Sequence, residues 1–222
     1  MIGRTALVTG GSRGIGRAIV KRFEELGARV LAPSRSELDL RDGSSIEAFV
    51  RSIGEPVDIL VNDAGINPLA PFERISDADL EEVLAVNLVA PVKLCRAFAP
   101  GMAARGYGRI VNISSIWSIV AKPGRGAYAV AKSGVNGLTR SLAVELAPRN
   151  VLVNAVAPGF VATEMTYQNN SPDQVAALTT QLPIGRLGDP DEIAEVVAFF
   201  ASSRNTFTTG QILVCDGGYT CL

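Results

Sequence analysis

TALVTGGSRGIG, residues 5–16, is the stretch that decides the fold. Residues 5–9 form a short apolar run of the kind that makes a buried strand. The glycine-rich residues 10–16 follow directly, and the apolar residues after them recur at helical spacing until Gly27. A strand, a glycine-rich turn and a helix in this order are typical of a dinucleotide-binding unit. The glycines let the backbone approach a pyrophosphate, and the helix N-terminus offers free N–H groups.

The residues after the predicted second strand, residues 29–32, bear on the choice of dinucleotide, because they usually meet the adenosine ribose. Ser34 and Arg35 come first, a hydroxyl and a guanidinium that suit a 2′-phosphate. Arg13 in the glycine turn adds a second positive charge. Glu37 is the counter-evidence, because an acidic residue near this position would bind the 2′-hydroxyl of NAD. Arg35 lies nearer the strand end, so we expect NADP(H) to be favoured over NAD(H).

The connection after this strand is unusually short. Residues 33–37 are all that separate Ala32 from Leu38, whereas a parallel crossover takes a dozen residues or more. We therefore expect no regular helix between Ala32 and Leu38. The strand that would follow is expected to be vestigial or absent, with Asp39 on a loop near the adenine.

The rest of the chain alternates predicted strands and helices, which indicates a parallel sheet covered on both faces. Ser76 and Asp79 predict a capping box at the start of the longest helix. We expect an α/β fold, a Rossmann-type doubly wound parallel sheet in a single domain, residues 1–222, with residues 163–187 as an irregular, polar lid over the substrate. Strands are predicted at 57–61, 109–113, 151–156 and 211–214, and helices at 44–53, 76–104, around 128–147 and at 190–201.

Tyr128 and Lys132 stand four residues apart, which places them one turn apart on one face of a helix. A lysine ammonium favours the phenolate and pulls a tyrosine pKa from about 10 toward neutrality. Such a tyrosine can act as a general acid or base. Ser115 follows an apolar strand and could hold a carbonyl oxygen beside the Tyr128 hydroxyl. The chain contains no histidine, so another group must perform acid–base work. A tyrosine and a lysine at this spacing also occur by chance on many helices, with the tyrosine packed and the lysine solvated.

Composition excludes several classes of protein. The chain is 47% apolar and 19% charged with a net charge of −1, which does not support disorder or nucleic-acid binding. Cys95, Cys215 and Cys221 form no metal-binding pattern, and an odd count suits a reducing compartment. We expect no signal peptide, because residues 1–4 are too short for one, and no apolar run near the ~20 residues that span a bilayer. The sequence therefore predicts a soluble, cytoplasmic protein without a metal.

Taken together, these motifs resemble the short-chain dehydrogenase/reductase family over essentially the whole chain. The glycine turn matches TGGSRGIG, residues 9–16, and the family's Asn-Asn-Ala-Gly element is present as residues 62–65, with Asp63 in place of the second asparagine. We expect Asp63 to alter hydrogen bonding at the strand end without touching the chemistry. By this resemblance, the catalytic residues fall on Asn87, Ser115, Tyr128 and Lys132.

The resemblance also implies the cofactor site and the roles of the residues. Tyr128 would protonate the substrate oxygen beside Ser115, Lys132 would hold the nicotinamide ribose and lower the tyrosine pKa, and Asn87 would position a water. A homotetramer is implied, with the helices of residues 77–104 and of Tyr128 at one interface and the C-terminal segment at another. The implied cofactor-binding residues are Gly10, Ser12, Arg13, Gly14, Ile15, Gly16, Ser34, Arg35, Asp39, Leu40, Asn62, Ala64, Gly65, Tyr128, Lys132, Pro158, Gly159, Val161 and Thr163.

The segments LPIGRLGDPDEIAEVVAFFAS, residues 182–202, and TTGQILVCDGG, residues 208–218, are similar to those of 3-oxoacyl-acyl-carrier-protein reductases. Many sugar and alcohol dehydrogenases of the family share them, so a secondary-alcohol dehydrogenase stays open as an alternative. A non-catalytic cofactor-binding module and a sugar-nucleotide epimerase or dehydratase are further alternatives. Trp117, Ile119 and Tyr167 are candidates to line the substrate cavity, or are ordinary core and lid residues.

Overall fold

The computed structural model describes all of residues 1–222. Its centre is one parallel sheet of six strands in the order β2-β1-β3-β4-β5-β6. The first crossover runs outward from β1 and all later ones run the other way, so the sheet is doubly wound as predicted. The strands are β1 (Thr5–Thr9), β2 (Arg29–Leu31), β3 (Ile59–Asn62), β4 (Gly108–Ile113), β5 (Val151–Pro158) and β6 (Ile212–Cys215).

Helices cover both faces of this sheet. Helices α1 and α8 pack on one face, and α2, α4 and α5 on the other. Side chains on a strand alternate between faces, and β1 shows why both cores are apolar: Val8 packs into the first and Leu7 into the second, each fully buried. The helices are α1 (Gly14–Glu25), α2 (Gly43–Ser52), α3 (Asp77–Leu84), α4 (Ala90–Ala104), α5 (Gly126–Leu146), α6 (Glu164–Gln168), α7 (Pro172–Gln181) and α8 (Pro190–Ala201).

The connection after β2 contains turns and no helix between Ala32 and Leu38, which confirms the prediction. The first strand after it in the chain, β3, pairs with the far side of β1, and no strand lies outside β2. Leu38 is buried in the core beneath the sheet and anchors this loop. Asp39 therefore lies on a loop at the edge of the sheet, as expected.

The long helix predicted for residues 76–104 is present, but it is not regular throughout. A π-helical segment, Ala85–Val89, joins α3 to α4. Ser76 caps α3 by accepting a hydrogen bond from the Asp79 N–H at 3.1 Å. The Asp79 carboxylate accepts from the Ser76 hydroxyl instead of the Ser76 N–H that would complete a capping box.

Length and composition alone would allow the helical stretch Asp77–Ala104 to cross a membrane, because it contains a window with a mean hydropathy of 1.4. This corrects the expectation that no apolar run is long enough to span a bilayer. In the fold, 44% of that window is buried, and its inner residues Leu94 and Met102 belong to the core beneath the sheet.

Residues 163–187 are not irregular, which corrects the expectation for the lid. They contain α6 and α7, and α7 begins with a complete capping box between Ser171 and Gln174 and has Pro172 in its first turn. Leu178 and Leu182 attach this segment to a small core with Trp117 and Phe160. The segment is thus a helical cover packed beside the cleft.

Candidate active site

A cleft of about 340 Å³ opens where the carboxyl ends of β1, β3, β4 and β5 meet. In open α/β sheets ligands bind at this edge, where the strand order reverses. Residues as distant in the sequence as Gly10 and Thr163 come together there because parallel strands end at the same edge. The predicted residues that line the cleft are Gly10, Ser12, Arg13, Gly14, Ile15, Ser34, Arg35, Asp39, Leu40, Ala64, Gly65, Ser115, Tyr128, Lys132, Pro158, Gly159, Val161 and Thr163.

The glycine turn leaves one end of the cleft free of side chains. A Cβ on Gly16 would lie 2.2 Å from the Gly10 carbonyl oxygen, and Gly10 itself has a φ of +75°, so only glycine fits at either position. Helix α1 starts at Gly14 with no side-chain cap and no acidic residue in its first turn. Its positive dipole end therefore faces the cleft without a capping side chain of its own, although the Gly16 N–H already meets the Asp63 carboxylate. These features fit the pyrophosphate of a dinucleotide.

Lys132 is buried in α5, and its Nζ donates a hydrogen bond to the Ile113 carbonyl oxygen at 2.6 Å. The ammonium lies 5.5 Å from the centre of the Tyr128 ring, so the helical spacing does bring the two side chains together. Burial lowers the pKa of Lys132 to about 8, against a smaller opposing effect of Asp63.

The pKa of Tyr128 differs from the expectation. Burial raises it to about 12, and the neighbouring Ser115 hydroxyl and Arg125 guanidinium lower it in part. The sequence predicted a shift toward neutrality through Lys132, but the loss of hydration dominates the pKa of the phenol, and the positive charge that opposes it is that of Arg125. The phenol is therefore fully protonated at neutral pH.

Ser115 follows β4 and caps a short 3₁₀ turn, Ile116–Ser118. Its Oγ accepts a hydrogen bond from the Trp117 N–H at 3.2 Å. One of the two acceptor lone pairs of the hydroxyl is thus used within the chain, and its hydrogen points toward the Tyr128 oxygen, where a substrate oxygen would also lie.

Asn87 lies in the π-helical segment and does not line the cleft. Its side chain bridges both backbone groups of Ile66, accepting from the N–H at 2.9 Å and donating to the carbonyl at 2.7 Å. The reason for an asparagine in mid-helix is thus visible: it holds the loop after β3 in place.

Asn62 and Gly16 were predicted to bind the cofactor and do not line the cleft either. The Asn62 side chain is buried in the core, where it donates to the Asn112 Oδ1 at 2.8 Å. Asn112 in turn donates to the Thr139 hydroxyl at 2.9 Å. Asn62 therefore joins β3 to β4 and α5.

Asp63 is closer to the chemistry than the sequence analysis expected. It lines the cleft, and its Oδ2 packs against the glycine turn, 2.5 Å from where a Cβ on Gly16 would stand. Burial raises the pKa of Asp63 to about 7, whereas Lys132 and the Gly16 N–H lower it. Its charge also acts on Lys132 and Tyr128, so the expectation that this residue leaves the chemistry untouched is wrong.

At the other end of the cleft, both acidic and basic groups surround the predicted ribose position. Glu37 accepts hydrogen bonds from the Ser34 N–H and hydroxyl, both at 2.7 Å. Arg35 is exposed and lies 4.0 Å from Glu82. Arg41, which sequence reasoning missed, holds Asp39 at 2.9 Å and lies 3.6 Å from Glu82. Three carboxylates thus share this end with the arginines.

The residues named for the substrate cavity separate into two kinds. Trp117 is buried and packs edge-on against Phe160 and Tyr219. Ile119 and Tyr167 are about half exposed, so neither is enclosed in the cleft.

Comparison with known proteins agrees with this geometry. A family model described as enoyl-(acyl carrier protein) reductase matches residues 32–220. The chain is 40% identical to the 3-oxoacyl-(acyl-carrier-protein) reductase FabG of Vibrio cholerae, over 97% of each protein. Among solved structures, it is similar to a protein described as an NAD(P)-dependent gluconate 5-dehydrogenase from Beutenbergia cavernae, whose structure contains bound NADP. The TM-score is 0.96 and the sequences are 38% identical, and the match covers 100% of this chain and 98% of that one. It is also similar to a 4-hydroxyisoleucine dehydrogenase complexed with NADH, with a TM-score of 0.94 and 29% identity over 99% and 100% of the chains.

The match to the family model covers most of the chain, and the curated relative matches it almost from end to end. The chain belongs to the short-chain dehydrogenase/reductase family and is an NAD(P)-dependent oxidoreductase of that family.

Proposed function

We propose that this protein is an NADP(H)-dependent oxidoreductase that interconverts a ketone and a secondary alcohol. One observation carries the proposal: the Tyr128 phenol, the Ser115 hydroxyl and the Lys132 ammonium line the same cleft as the glycine turn. A protein that only binds the cofactor would not need Ser115, Tyr128 and Lys132 together, so their presence argues against a non-catalytic cofactor-binding module.

The glycine turn and the bare N-terminus of α1 would hold the pyrophosphate, and Lys132 would hold the nicotinamide ribose. When bound, the cofactor supplies or accepts the hydride. The protein supplies hydrogen-bond donors that are already in place for the oxygen on which charge develops.

Ser115 and Tyr128 would both donate hydrogen bonds to the substrate carbonyl oxygen. Because burial keeps the phenol protonated, Tyr128 is ready to give its proton to that oxygen during reduction. Lys132 would act as a fixed positive charge behind the phenol and offset the tyrosinate that forms. Asn87 would position the loop after β3 through Ile66.

The preference for NADP(H) rests on Arg35 and Arg13, with Arg41 as a third cation. Glu37 opposes it, because it occupies both Ser34 donors that a phosphate would use. A relative with NADP and another with NADH are both similar to this chain. We place NADP(H) first because Arg35 is exposed and its single ion-pair contact, with Glu82, is long at 4.0 Å, whereas Arg41 is already held by Asp39.

Two substrates are candidates. A 3-oxoacyl group on a carrier protein is supported by the FabG relative. A sugar acid or another small secondary alcohol is supported by the similarity in structure to the gluconate 5-dehydrogenase. Initial rates with NADPH on acetoacetyl thioesters, sugar acids and simple ketones test the proposal, and no oxidation of NADPH or NADH with any carbonyl would contradict it.

We also propose a cytoplasmic homotetramer. Exposed apolar side chains lie on the elements expected at the two interfaces, Val130 and Val144 on α5 and Phe207 and Leu222 in the C-terminal segment. Light scattering coupled to size-exclusion chromatography tests the assembly, with a monomer as the contradicting result.

A further inference from the structure

Arg125 is a buried cation for which the chain supplies no partner. Its side chain is 7% exposed, it donates no hydrogen bond to any side chain or backbone carbonyl, and no carboxylate lies within 4 Å. Its one close contact is the face of Trp117, whose ring centre lies 5.4 Å from the guanidinium carbon. Burial lowers its pKa, which reflects the cost of holding this charge away from water.

The other buried cations show how this protein normally satisfies such a charge. Arg109 is 2% exposed and donates to the carbonyl oxygens of Gly108, Asn150, Ser202 and Asn205. Lys132 donates to the Ile113 carbonyl. Arg125 is the exception, and its donors remain available for a ligand.

A second cation stands beside it. The Lys122 ammonium lies 5.7 Å from the centre of the Phe160 ring, and Phe160 packs edge-on against Trp117. Lys122 takes part in no ion pair, and the positive charge of Arg125 lowers its pKa further. Two neighbouring cations without an anion repel each other, and an anionic ligand between them would relieve that repulsion.

The position of Arg125 relates it to the reacting groups. Arg125 is the N-cap residue directly before α5, and Tyr128 lies in the first turn of that helix, four residues before Lys132. Lys132 faces the glycine-turn side, near Gly65. Arg125 lies over Trp117, which belongs to the same small core that Tyr128 packs against, and its charge lowers the phenol pKa.

We propose that Arg125, with Lys122 beside it, is an anion subsite next to the cleft, just outside the residues that line it, and that the substrate is a small oxo acid whose carboxylate binds there while its ketone lies at Tyr128. This inference rests on the proposed function. Arg125 and Tyr128 are joined through Trp117, so the carboxylate would stand only a few carbons from the ketone. Reduction converts the oxo acid and NADPH, with one proton, to the hydroxy acid and NADP⁺. A 3-oxoacyl thioester carries no charge at this distance and would leave Arg125 unpaired.

The first experiment compares matched substrates. Acetoacetate, 4-oxopentanoate and 5-keto-D-gluconate are each assayed against their neutral amides with wild type, Arg125→Met, Arg125→Lys and the control Arg51→Met. Arg51 is an exposed residue of α2 paired with Glu47, so its variant has the same change of net charge at a distant site.

A hydrogen bond between charged groups contributes about 1.5–3 kcal/mol, and each 1.4 kcal/mol is tenfold. We expect Arg125→Met to raise KM for the preferred oxo acid about 10- to 100-fold and to leave kcat/KM on its amide within about threefold. Arg125→Lys should recover part of the affinity, and Arg51→Met should match wild type. The dissociation constant for NADP⁺ and the Tm of each variant establish that it is folded.

The second experiment measures binding without turnover. Trp117 is the only tryptophan of the chain and it contacts Arg125, so its fluorescence reports on the subsite. In the complex with NADP⁺, a ketone cannot be reduced. Titration of this complex with the oxo acid should change the Trp117 emission, and the change should saturate as the concentration rises. The amide should not change the emission of wild type over the same concentration range. The oxo acid should likewise not change the emission of the Arg125→Met variant.

Equal efficiency of wild type on acids and amides, or equal loss of both in Arg125→Met, would overturn the subsite while leaving the oxidoreductase in place. Tighter binding of acetonyl phosphonate than of the carboxylates would overturn the assignment to a carboxylate. Failure of the proposed function has a different signature, because no ketone, charged or neutral, would then oxidise NADPH.

Discussion

Asn87 holds Ile66 by both of its backbone groups, at 2.9 and 2.7 Å, across 21 positions of sequence. The side chain is 1% exposed, and the π-helical turn that contains it interrupts an otherwise regular helix. The hydrogen bonds from Asn87, which lies in the π-helical segment, therefore hold the loop that follows β3 at the wall of the cleft, where Ile66 is a lining residue.

Asn87→Ala should therefore weaken the fold as well as the site. Leaving buried backbone groups unpaired costs about 1–3 kcal/mol, and we expect a loss of this size in the free energy of unfolding measured with urea. Asn170→Ala, which removes a single bond within the cover segment, serves as the control. A change below about 0.5 kcal/mol for Asn87→Ala would contradict the structural role.

Tyr128→Phe should lower kcat by about 10²- to 10⁴-fold, the usual contribution of general acid–base catalysis. The ring still packs, so the dissociation constant for NADPH should stay within a few-fold. The exposed Tyr167 offers a matched control, and Tyr167→Phe should keep normal turnover. Near-normal turnover by Tyr128→Phe on a good substrate would rule out the assignment of the acid.

Cofactor affinity should fall as the pH rises through about 8. Burial lowers the pKa of Lys132 to about 8, so the ammonium that would hold the ribose is present below that pH and lost above it. Titrations of NADP⁺ binding between pH 6.5 and 9.5 measure this, and Lys132→Met should bind weakly at every pH. Asp63 raises the Lys132 pKa, so Asp63→Asn should move the midpoint to lower pH, and a shift to higher pH would contradict this electrostatic link.

Asp63→Asn should stabilise the protein without cofactor at alkaline pH. The pKa of Asp63 is about 7 in the fold against about 3.9 in an unfolded chain. The folded state thus binds more protons between these values, and its stability falls as the pH rises through them. The variant lacks this loss of stability, so its Tm at pH 8.5 should exceed that of wild type by roughly 2–4 °C. In a protein of this size, that difference in Tm corresponds to about 1 kcal/mol in the free energy of unfolding. The difference in Tm between the variant and wild type should shrink at pH 5. A difference that grows as the pH falls would contradict a raised pKa of Asp63.

Arg35→Asp should reverse the cofactor preference. We expect wild type to use NADPH better than NADH, and the variant to lose about 10- to 100-fold in kcat/KM with NADPH while NADH is little affected. Glu37→Gln should act in the opposite direction, because it removes a negative charge beside Ser34. Equal or better use of NADH by wild type would contradict the preference.

Much of the fold follows from local patterns. The strand, glycine turn and helix at residues 5–25 need only apolar alternation, residues without a Cβ and helical spacing, and all three are read along the chain. The absence of a helix between Ala32 and Leu38 follows from chain length. The helices in 163–187 were missed because α6 has only five residues and α7 is half polar, so neither shows a strong apolar period.

The site divides in the same way. Tyr128, Lys132 and Ser115 could be named because spacing on one helix and a position at a strand end are local properties. The roles of Asn62 and Asn87 could not be read, since neither residue's partner, Asn112 or Ile66, is adjacent to it in the sequence.

The sequence by itself determined the parallel sheet and the cleft at its carboxyl edge, and it named most of the residues that line that cleft, because repeating patterns and short spacings encode them. Only the tertiary structure decided the electrostatics of that cleft. Burial raises the pKa of Tyr128 instead of lowering it, and it also raises the pKa of Asp63 beside the reacting groups. Arg125 is buried without a hydrogen-bonding partner. Hydration and charge at a point depend on every element packed around it, and those elements come from distant parts of the chain.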